Sequence, residues 1–176
     1  MGLTPLEGLM MRTRSGSVDP AVVFNLAGMA GLSIKEIDTL LNKKSGLLAI
    51  AELGSGDMRD IINAAESGNA QAKLAIDMFI WRVIRFAGAF YTLIPGGAQA
   101  IVFTGGIGEW SSYIRSKILA KMEPLRIWED KELNEKFKGK PGVISTKESA
   151  WQAIVMPTNE ELMISRSVVS VLAEKK

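Results

Sequence analysis

An apolar run that ends in a cluster of glycines constrains the fold of this chain more than any other stretch. The run covers residues 100–103 (AIVF), and the glycines follow after Thr104 as residues 105–109 (GGIGE). We predict a strand that turns through the glycines into a helix over residues 111–122. Such a turn leaves backbone N–H groups at the positive end of a helix dipole, where no Cβ blocks an approaching anion. A tight strand–helix turn without a ligand explains the same pattern equally well.

The glycine cluster matches neither of two common phosphate-binding motifs. A Walker loop is excluded because no Gly-Lys-Ser/Thr sequence follows the glycines. A dinucleotide fingerprint fits poorly because Ser111 stands where its third glycine belongs. The local pattern therefore leaves the nature of any bound anion open.

Composition predicts one globular domain over residues 1–176. The chain is 47% apolar, and a chain of this length typically buries about 70% of its unfolded surface. The formal net charge is +2 with scattered cations, which argues against nucleic-acid binding. The chain contains neither cysteine nor histidine, which excludes disulfides, thiolate metal sites and histidine bases within it. We expect a protein of the reducing cytoplasm.

No membrane association is expected. The longest apolar region, residues 74–94, is interrupted by Asp77, Arg82 and Arg85, whereas a membrane span needs about 20 apolar residues in a row. The N-terminus also lacks the basic and apolar segments of a signal peptide. The sequence thus predicts a soluble protein.

Capping signals predict most of the helices. Capping boxes at residues 4–7, 33–36 and 158–161 start three of them, Asp19-Pro20 starts one that runs to about residue 31, and Asp57 caps one over residues 58–66. Residues 47–51 are predicted as a strand or buried turn, residues 129–140 as a surface loop or short solvated helix, and residues 143–145 and 151–156 as strands.

The longest predicted helix covers residues 70–93 and would be about 36 Å long. Its apolar side chains, which include Trp81 and Phe90, cover more of the helix than one stripe. Such a helix is either buried centrally or shared with a second subunit.

Four charged residues could contact a ligand, and each also has a plain structural explanation. Arg14 has the planar donor fork that suits a phosphoryl group, but it could equally be a solvated loop cation. Asp57 and Arg59 are explained as a helix cap and a surface cation. Glu160 suits Mg²⁺ held partly through water, although a carboxylate in a first helical turn also favours the helix dipole.

Considered together, these segments resemble the C-terminal half of the acetate kinase family, with propionate kinases as close relatives. The matching motifs occur in the family's order and extend along nearly the whole chain: MGLTPLEGLM, TRSG, VDP, EIDTLLNKKSGLL, GDMRD, IVFTGGIGE and PTNEEL. The resemblance implies an α/β fold of the actin-like, ribonuclease H-like, sugar-kinase type, which here would be helix-rich with a small mixed sheet. It also implies transfer of phosphate between ATP and acetate or propionate, with Mg²⁺, and a homodimer formed through the long helix of residues 70–93.

The resemblance also assigns roles to residues. Arg14 matches the arginine that stabilises the phosphoryl group in transit, and Glu160 matches a glutamate associated with Mg²⁺. The nucleotide (ATP or ADP) would contact two segments: Asp57, Met58 and Arg59 at its adenosine end, and the glycine turn Gly106, Ile107, Gly108, Glu109 and Trp110.

Three departures from the family pattern matter. The family's N-terminal half, which carries the acyl-binding residues and the phosphate loop, has no counterpart here, so we expect the isolated chain to be inactive or very weak. Arg12 replaces a glycine of the usual MGTR motif, and Trp110 replaces the asparagine of GIGEN. The leading hypothesis is one domain of such a kinase; the alternative is a non-catalytic remnant that acts in nucleotide binding or dimerisation.

Overall fold

The computed structural model describes residues 2–174, which divide into two compact units. The first unit is Met1–Gly97 and the second is Ala98–Lys176. The assignment of the whole chain to a single domain stays a prediction. None of the helices within residues 2–174 has the length and apolar character that crossing a bilayer requires.

Helices build the first unit. They are α1 (Ala21–Gly28), α2 (Ile34–Lys43), α3 (Gly46–Ala51), α4 (Met58–Glu66) and α5 (Ala70–Leu93). Both α3 and α4 pack against α5, and α1 packs against α2. The buried apolar side chains come mainly from the packed faces of α3, α4 and the first half of α5: Leu47, Ala51, Met58, Ile61, Ala65, Ala72, Ala75, Ile76, Phe79 and Ile80.

Capping side chains start three helices of this unit, and two of these caps were predicted from the sequence. The capping box at Ser33 is confirmed, because Ser33 Oγ accepts from the Glu36 N–H (3.3 Å) while Glu36 accepts from the Ser33 N–H (2.8 Å). The predicted cap at Asp57 is also confirmed, with Asp57 Oδ1 accepting from the Arg59 N–H at 2.9 Å. Asn69 caps α5 in the same way.

Two predictions for the first unit are wrong. Residues 4–7 form a turn instead of a helix, because the following residue, Gly8, takes φ 127° and pairs with Ser17. Residues 47–51 are helical as part of α3. A short apolar run carries no periodicity that separates a strand from a buried helix, so this error lay in the pattern itself.

The predicted long helix is confirmed with its bounds at Ala70 and Leu93. Exposure changes along this helix. Its buried residues, which include Ile76, Phe79 and Ile80, all lie before Trp81. From Trp81 to Leu93 the helix has no buried residue and exposes large apolar side chains, including Trp81 and Phe90. The C-terminal part of α5 therefore leaves apolar surface uncovered.

The second unit contains a small mixed sheet. Strand β1 (Ala100–Phe103) pairs in parallel with β3 (Gln152–Val155), and β2 (Gly142–Val143) pairs antiparallel with β3. Helices α6 (Gly105–Trp110), α7 (Ser112–Met122), α8 (Lys131–Lys136) and α9 (Glu160–Glu174) complete the unit, with a 3₁₀ turn at Glu123–Leu125. The predicted class, helix-rich with a small mixed sheet, is thus confirmed for residues 2–174.

Two elements in the second unit differ from the prediction. The glycine turn is itself the short helix α6, and α7 begins after it with Ser111 as its cap. The first of the two predicted strands is shorter and earlier than expected, at Gly142–Val143. The short helix predicted within residues 129–140 is confirmed as α8, although one of its residues, Asn134, is buried at 1% exposure.

The capping box predicted at residues 158–161 is also wrong. Helix α9 starts at Glu160, and Asn159 Oδ1 accepts from the Leu162 N–H at 3.0 Å, which makes Asn159 the capping side chain. The Thr158 side chain is directed to Glu109, to which its hydroxyl donates at 3.0 Å, and the helix begins only at Glu160. A long-range contact therefore overrides the local signal.

Candidate functional site

The residues predicted to contact a ligand lie in both units. Arg14 and the segment Asp57, Met58 and Arg59 belong to the first unit, and residues 106–110 and Glu160 belong to the second. Within each unit, the structure shows which of these segments are connected.

Arg14 lies in a loop, residues 11–15, that we call the arginine loop. Backbone hydrogen bonds fix it from both sides. The N–H groups of Ser45, Leu47 and Leu48 donate to the carbonyls of Thr13, Met11 and Arg12, at 2.9–3.0 Å. The Ser15 N–H donates to the Leu41 carbonyl at 3.0 Å. The course of this loop is therefore set by peptide groups of α2 and α3.

Two glycines permit this close backbone packing. Gly46 has φ 65°, and a Cβ at that position would lie 2.2 Å from the Met11 carbonyl oxygen and 2.6 Å from that of Arg14. A Cβ at Gly56 would lie 2.8 Å from both the carbonyl oxygen and the Cγ of Arg12. The contact at Gly56 also brings the arginine loop beside the segment that begins at Asp57.

The side chain of Arg14 is half-buried and weakly held. Its Nε lies 3.4 Å from Asn42 Oδ1, and its Nη1 lies 3.8 Å from Met11 Sδ. None of the carboxylates within residues 2–174 forms an ion pair with it. Most of its donor fork is thus available to an anion, as the predicted role requires.

The Asp57 carboxylate forms its hydrogen bonds with the first turn of α4. Besides capping α4, its carboxylate accepts from Arg59 Nε at 3.0 Å and from Arg59 Nη2 at 2.7 Å. These hydrogen bonds hold the pKa of Asp57 well below its usual range, with a smaller contribution from the charge of Arg12. Met58, the first residue of α4, is buried at 6% exposure.

The glycine-rich start of α6 is open on its outer side. Gly105 has φ 69°, and a Cβ at Gly105 or Gly106 would meet none of the described atoms within 4 Å. In contrast, a Cβ at Gly108 would lie 3.2 Å from the Phe103 backbone, so this glycine packs against β1. Ile107, between them, is half-buried.

Glu109 points into the second unit and is 8% exposed. Its Oε1 accepts three hydrogen bonds: from the Gly105 N–H at 2.9 Å, from the Thr158 N–H at 2.9 Å and from the Thr158 hydroxyl at 3.0 Å. The carboxylate therefore connects the glycine segment with the residues that lead into α9, two positions before Glu160.

Trp110 is 64% exposed, and its ring lies over Gly139. A Cβ at Gly139 would lie 2.5 Å from that ring, and the Gly139 N–H donates to the Glu109 carbonyl at 2.9 Å. The indole thus has a place against the backbone that follows α8.

Arg115 holds the end of α6 through hydrogen bonds to its carbonyls, a role that the sequence did not predict. It is fully buried, and its Nη1 donates to the carbonyls of Gly108 and Glu109, each at 2.8 Å. Its Nε and Nη2 donate to the side chain and carbonyl of Asn134, at 2.6 and 2.7 Å. Burial lowers the pKa of Arg115, although an arginine stays charged at neutral pH.

A sequence signal for Arg115 did exist. It shares the apolar stripe of α7 with Ile118, Leu119 and Met122, at helical spacings of three, four and seven residues. A cation on a buried stripe needs partners, and buried Asn134 supplies two of them.

Glu160 lies exposed in the first turn of α9. Within the described part of the chain, no group of three or more acidic residues is arranged to hold a metal ion. One exposed carboxylate still fits Mg²⁺ on a nucleotide, because Mg²⁺ is usually bound by one or two carboxylates together with phosphates and water. The open glycine backbone likewise fits a phosphate-bearing ligand, since a Cβ at Gly105 or Gly106 would occupy that space.

Comparison with known proteins gives one consistent family. The family model described as "Acetokinase family" matches residues 1–166. An acetate kinase of Pseudothermotoga lettingae is 45% identical over 172 residues, which cover 98% of this chain and 42% of that protein.

Solved structures give the same result. Porphyromonas gingivalis acetate kinase superposes with a TM-score of 0.88 at 43% identity, covering 98% of this chain and 43% of that one. A propionate kinase of Francisella tularensis gives 0.85 at 42% identity, with coverages of 93% and 41%. The chain thus spans about two fifths of the length of the relatives that it matches.

Proposed function

Because the chain belongs to the acetokinase family, we propose that it forms the nucleotide-side domain of an enzyme that transfers phosphate between ATP and acetate or propionate. The observation that carries this proposal is the state of Arg14. Its loop is fixed by backbone hydrogen bonds, yet its guanidinium has no carboxylate partner among residues 2–174. A pre-positioned, unneutralised guanidinium is suited to a phosphoryl group.

The proposed work of the chain is positioning and charge neutralisation, which phosphoryl transfer needs more than covalent chemistry. Arg14 donates to the phosphoryl oxygens. The glycine turn, whose backbone is open at Gly106, receives the nucleotide, and Asp57, Met58 and Arg59 adjoin its adenosine end. Mg²⁺, when bound with the nucleotide, neutralises phosphate charge, and Glu160 holds it through a coordinated water or directly.

Glu109 and Trp110 take different parts in this proposal. The Glu109 carboxylate is occupied by Gly105 and Thr158, so this residue acts on the nucleotide site through the backbone. The Trp110 indole lies against Gly139, which leaves the main chain of the glycine segment open despite the loss of the family's asparagine.

Acyl-group binding is assigned to the part of the relatives that this chain does not match. Uncovered apolar surface supports a need for further protein. Helix α9 exposes large apolar side chains around most of its circumference: Leu162, Met163, Ile164, Val168, Val169, Val171 and Leu172. A helix of this kind is rarely stable without a partner. We therefore propose the actin-like fold for the complete protein, and negligible turnover by these 176 residues alone.

We also propose a homodimer through the long helix α5, which exposes Trp81, Phe90 and Leu93 in the part that follows Ile80. The proposed partners are thus a nucleotide, the acyl substrate in the complete enzyme and a second copy of the chain. ATP as the phosphoryl donor is consistent with a cytoplasmic protein.

The test combines the chain with the part of Porphyromonas gingivalis acetate kinase outside the matched region. Acyl phosphate formation from Mg-ATP is measured with acetate and with propionate, for the chain alone and for the combination. We expect activity only in the combination and its loss in Arg14→Ala, while Lys35→Ala, which removes an exposed cation of α2, retains it. Turnover by the chain alone would contradict the proposal.

A second function, a non-catalytic remnant, is favoured by Arg12 and Trp110, which depart from the family motifs. Titration calorimetry with Mg-ADP separates the two functions. Binding by the folded chain supports a retained nucleotide site. Absence of binding, together with an inactive combination, supports the remnant.

A further inference from the structure

Glu109 offers an inference that rests on the proposed function and deepens it. Among the described residues, its carboxylate is the one acidic group that is buried. It forms no ion pair within residues 2–174. A buried carboxylate normally requires such compensation, so its hydrogen bonds must carry the whole of it.

Those hydrogen bonds all fall on one oxygen. Oε1 accepts from Gly105 and twice from Thr158, while Oε2 has no partner within residues 2–174 and is not fully shielded from water. Three hydrogen bonds to Oε1, together with the contact of Oε2 with solvent, offset much of the cost of burying this carboxyl group.

The two partners of Glu109 belong to two proposed ligand contacts. Gly105 begins the glycine segment proposed to receive the nucleotide, and Thr158 precedes the proposed Mg²⁺ carboxylate, Glu160, by two residues. Sequence separation between Glu109 and Thr158 is 49 residues, so the carboxylate joins parts of the chain that local structure cannot connect.

We propose that Glu109 is a positioning residue that fixes Glu160 relative to the glycine segment, and thereby couples Mg²⁺ binding to nucleotide binding. The Thr158 N–H and hydroxyl both point to this carboxylate, which sets the direction in which the chain enters α9. Residues that orient a metal ligand through hydrogen bonds typically contribute about 10- to 100-fold to metal affinity.

The test measures ADP binding by calorimetry with and without Mg²⁺, using the 176-residue chain. We expect Mg²⁺ to tighten ADP binding by the unmodified chain. In Glu109→Ala this Mg²⁺-dependent gain falls by about tenfold or more. Glu109→Gln, whose amide oxygen can accept the same bonds, restores most of it. Glu161→Ala, which removes a neighbouring carboxylate of α9, leaves it unchanged.

The double variant Glu109→Ala/Glu160→Ala separates positioning from a general loss of structure. If Glu109 acts through Glu160, the double variant loses no more of the Mg²⁺-dependent gain than Glu160→Ala alone. If Glu109→Ala weakens ADP binding equally with and without Mg²⁺, the residue is only structural and the inference fails.

Hydrogen exchange of the nucleotide-free chain supplies the second readout. Glu109→Ala should increase exchange in both the segment of residues 104–108 and the segment of residues 157–162. An increase confined to the first segment would overturn the coupling. Absence of any nucleotide binding by the unmodified chain would overturn the proposed function together with this inference, whereas binding with an unchanged Mg²⁺ gain in Glu109→Ala would overturn the inference alone.

Discussion

The arginine loop belongs to the first unit and the glycine helix α6 to the second, and the two segments are held in opposite ways. Peptide groups hold the arginine loop: its carbonyls accept from Ser45, Leu47 and Leu48, and glycine makes the close approach possible. Side chains hold α6, because Glu109 binds the N–H of its first residue and Arg115 donates to two of its carbonyls. The first arrangement therefore depends on the absence of a Cβ at Gly46, whereas the second depends on the side chains of Glu109 and Arg115.

The largest expected loss of stability comes from removing a side chain that holds α6. Arg115→Ala leaves the carbonyls of Gly108 and Glu109 without their buried donor, and should lower the free energy of unfolding by about 3–5 kcal/mol. Urea unfolding followed by circular dichroism measures the loss. Lys121→Ala, an exposed cation on the same helix, is the control and should change stability by less than about 0.5 kcal/mol. Equal effects of the two changes would contradict the supporting role of Arg115.

The second largest loss of stability is expected when a Cβ is added beside the arginine loop. Gly46→Ala places a methyl group 2.2 Å from the Met11 carbonyl oxygen and should cost about 3 kcal/mol, combining left-handed strain with overlap. Gly54→Ala has a similar φ of 70° but meets none of the described atoms within 4 Å, so it should cost only about 1–2 kcal/mol. The difference between the two losses of unfolding free energy, measured by urea unfolding, reports the close contact of Gly46 with the arginine loop. Equal losses in the two variants would contradict that contact.

The smallest loss of stability is expected at Asp57, whose side chain caps α4. Asp57→Ala removes the cap of α4 and should cost about 1 kcal/mol at pH 7, whereas Asp57→Asn keeps an equivalent cap.

The effect at Asp57 should also depend on pH. Because the pKa of Asp57 is lowered in the folded protein, its contribution is fully present above the unfolded pKa of about 3.9 and is lost as pH falls below it. The stability difference between the unmodified chain and Asp57→Ala should therefore shrink between pH 5 and pH 2 (about the range of this titration). A difference that stays constant over this range would show that the carboxylate contributes by its shape alone.

Local signals predicted the parts of the fold that depend on neighbours in sequence. The capping side chains Ser33 and Asp57 and the long helix α5 are where the pattern places them, because caps and helical periodicity involve residues within a few positions of each other. The resemblance to the acetokinase family is likewise confirmed, since the family model matches residues 1–166.

Two of the wrong predictions share a different cause. The Thr158 side chain is directed to Glu109, and the chain turns after residues 4–7 at Gly8, which pairs with Ser17. In both cases a partner distant in sequence sets the course of the chain, whereas the apolar run of residues 47–51 carried no pattern that separates a strand from a helix. The burial of Asn134 also depends on a distant partner, since only the folded chain brings Arg115 to it.

The sequence by itself determined the family and the helix-rich character, because these follow from motif order, composition and local periodicity. The tertiary structure alone decided how the segments predicted to contact a ligand are held. It showed that Gly46 packs its backbone against the arginine loop, that Arg115 supports α6 and that Glu109 joins Gly105 to the residues before α9. The physical reason is distance along the chain: the bond from Thr158 to Glu109 spans 49 positions and the one from Arg115 to Asn134 spans 19, and no sequence pattern records which donor meets which acceptor over such separations.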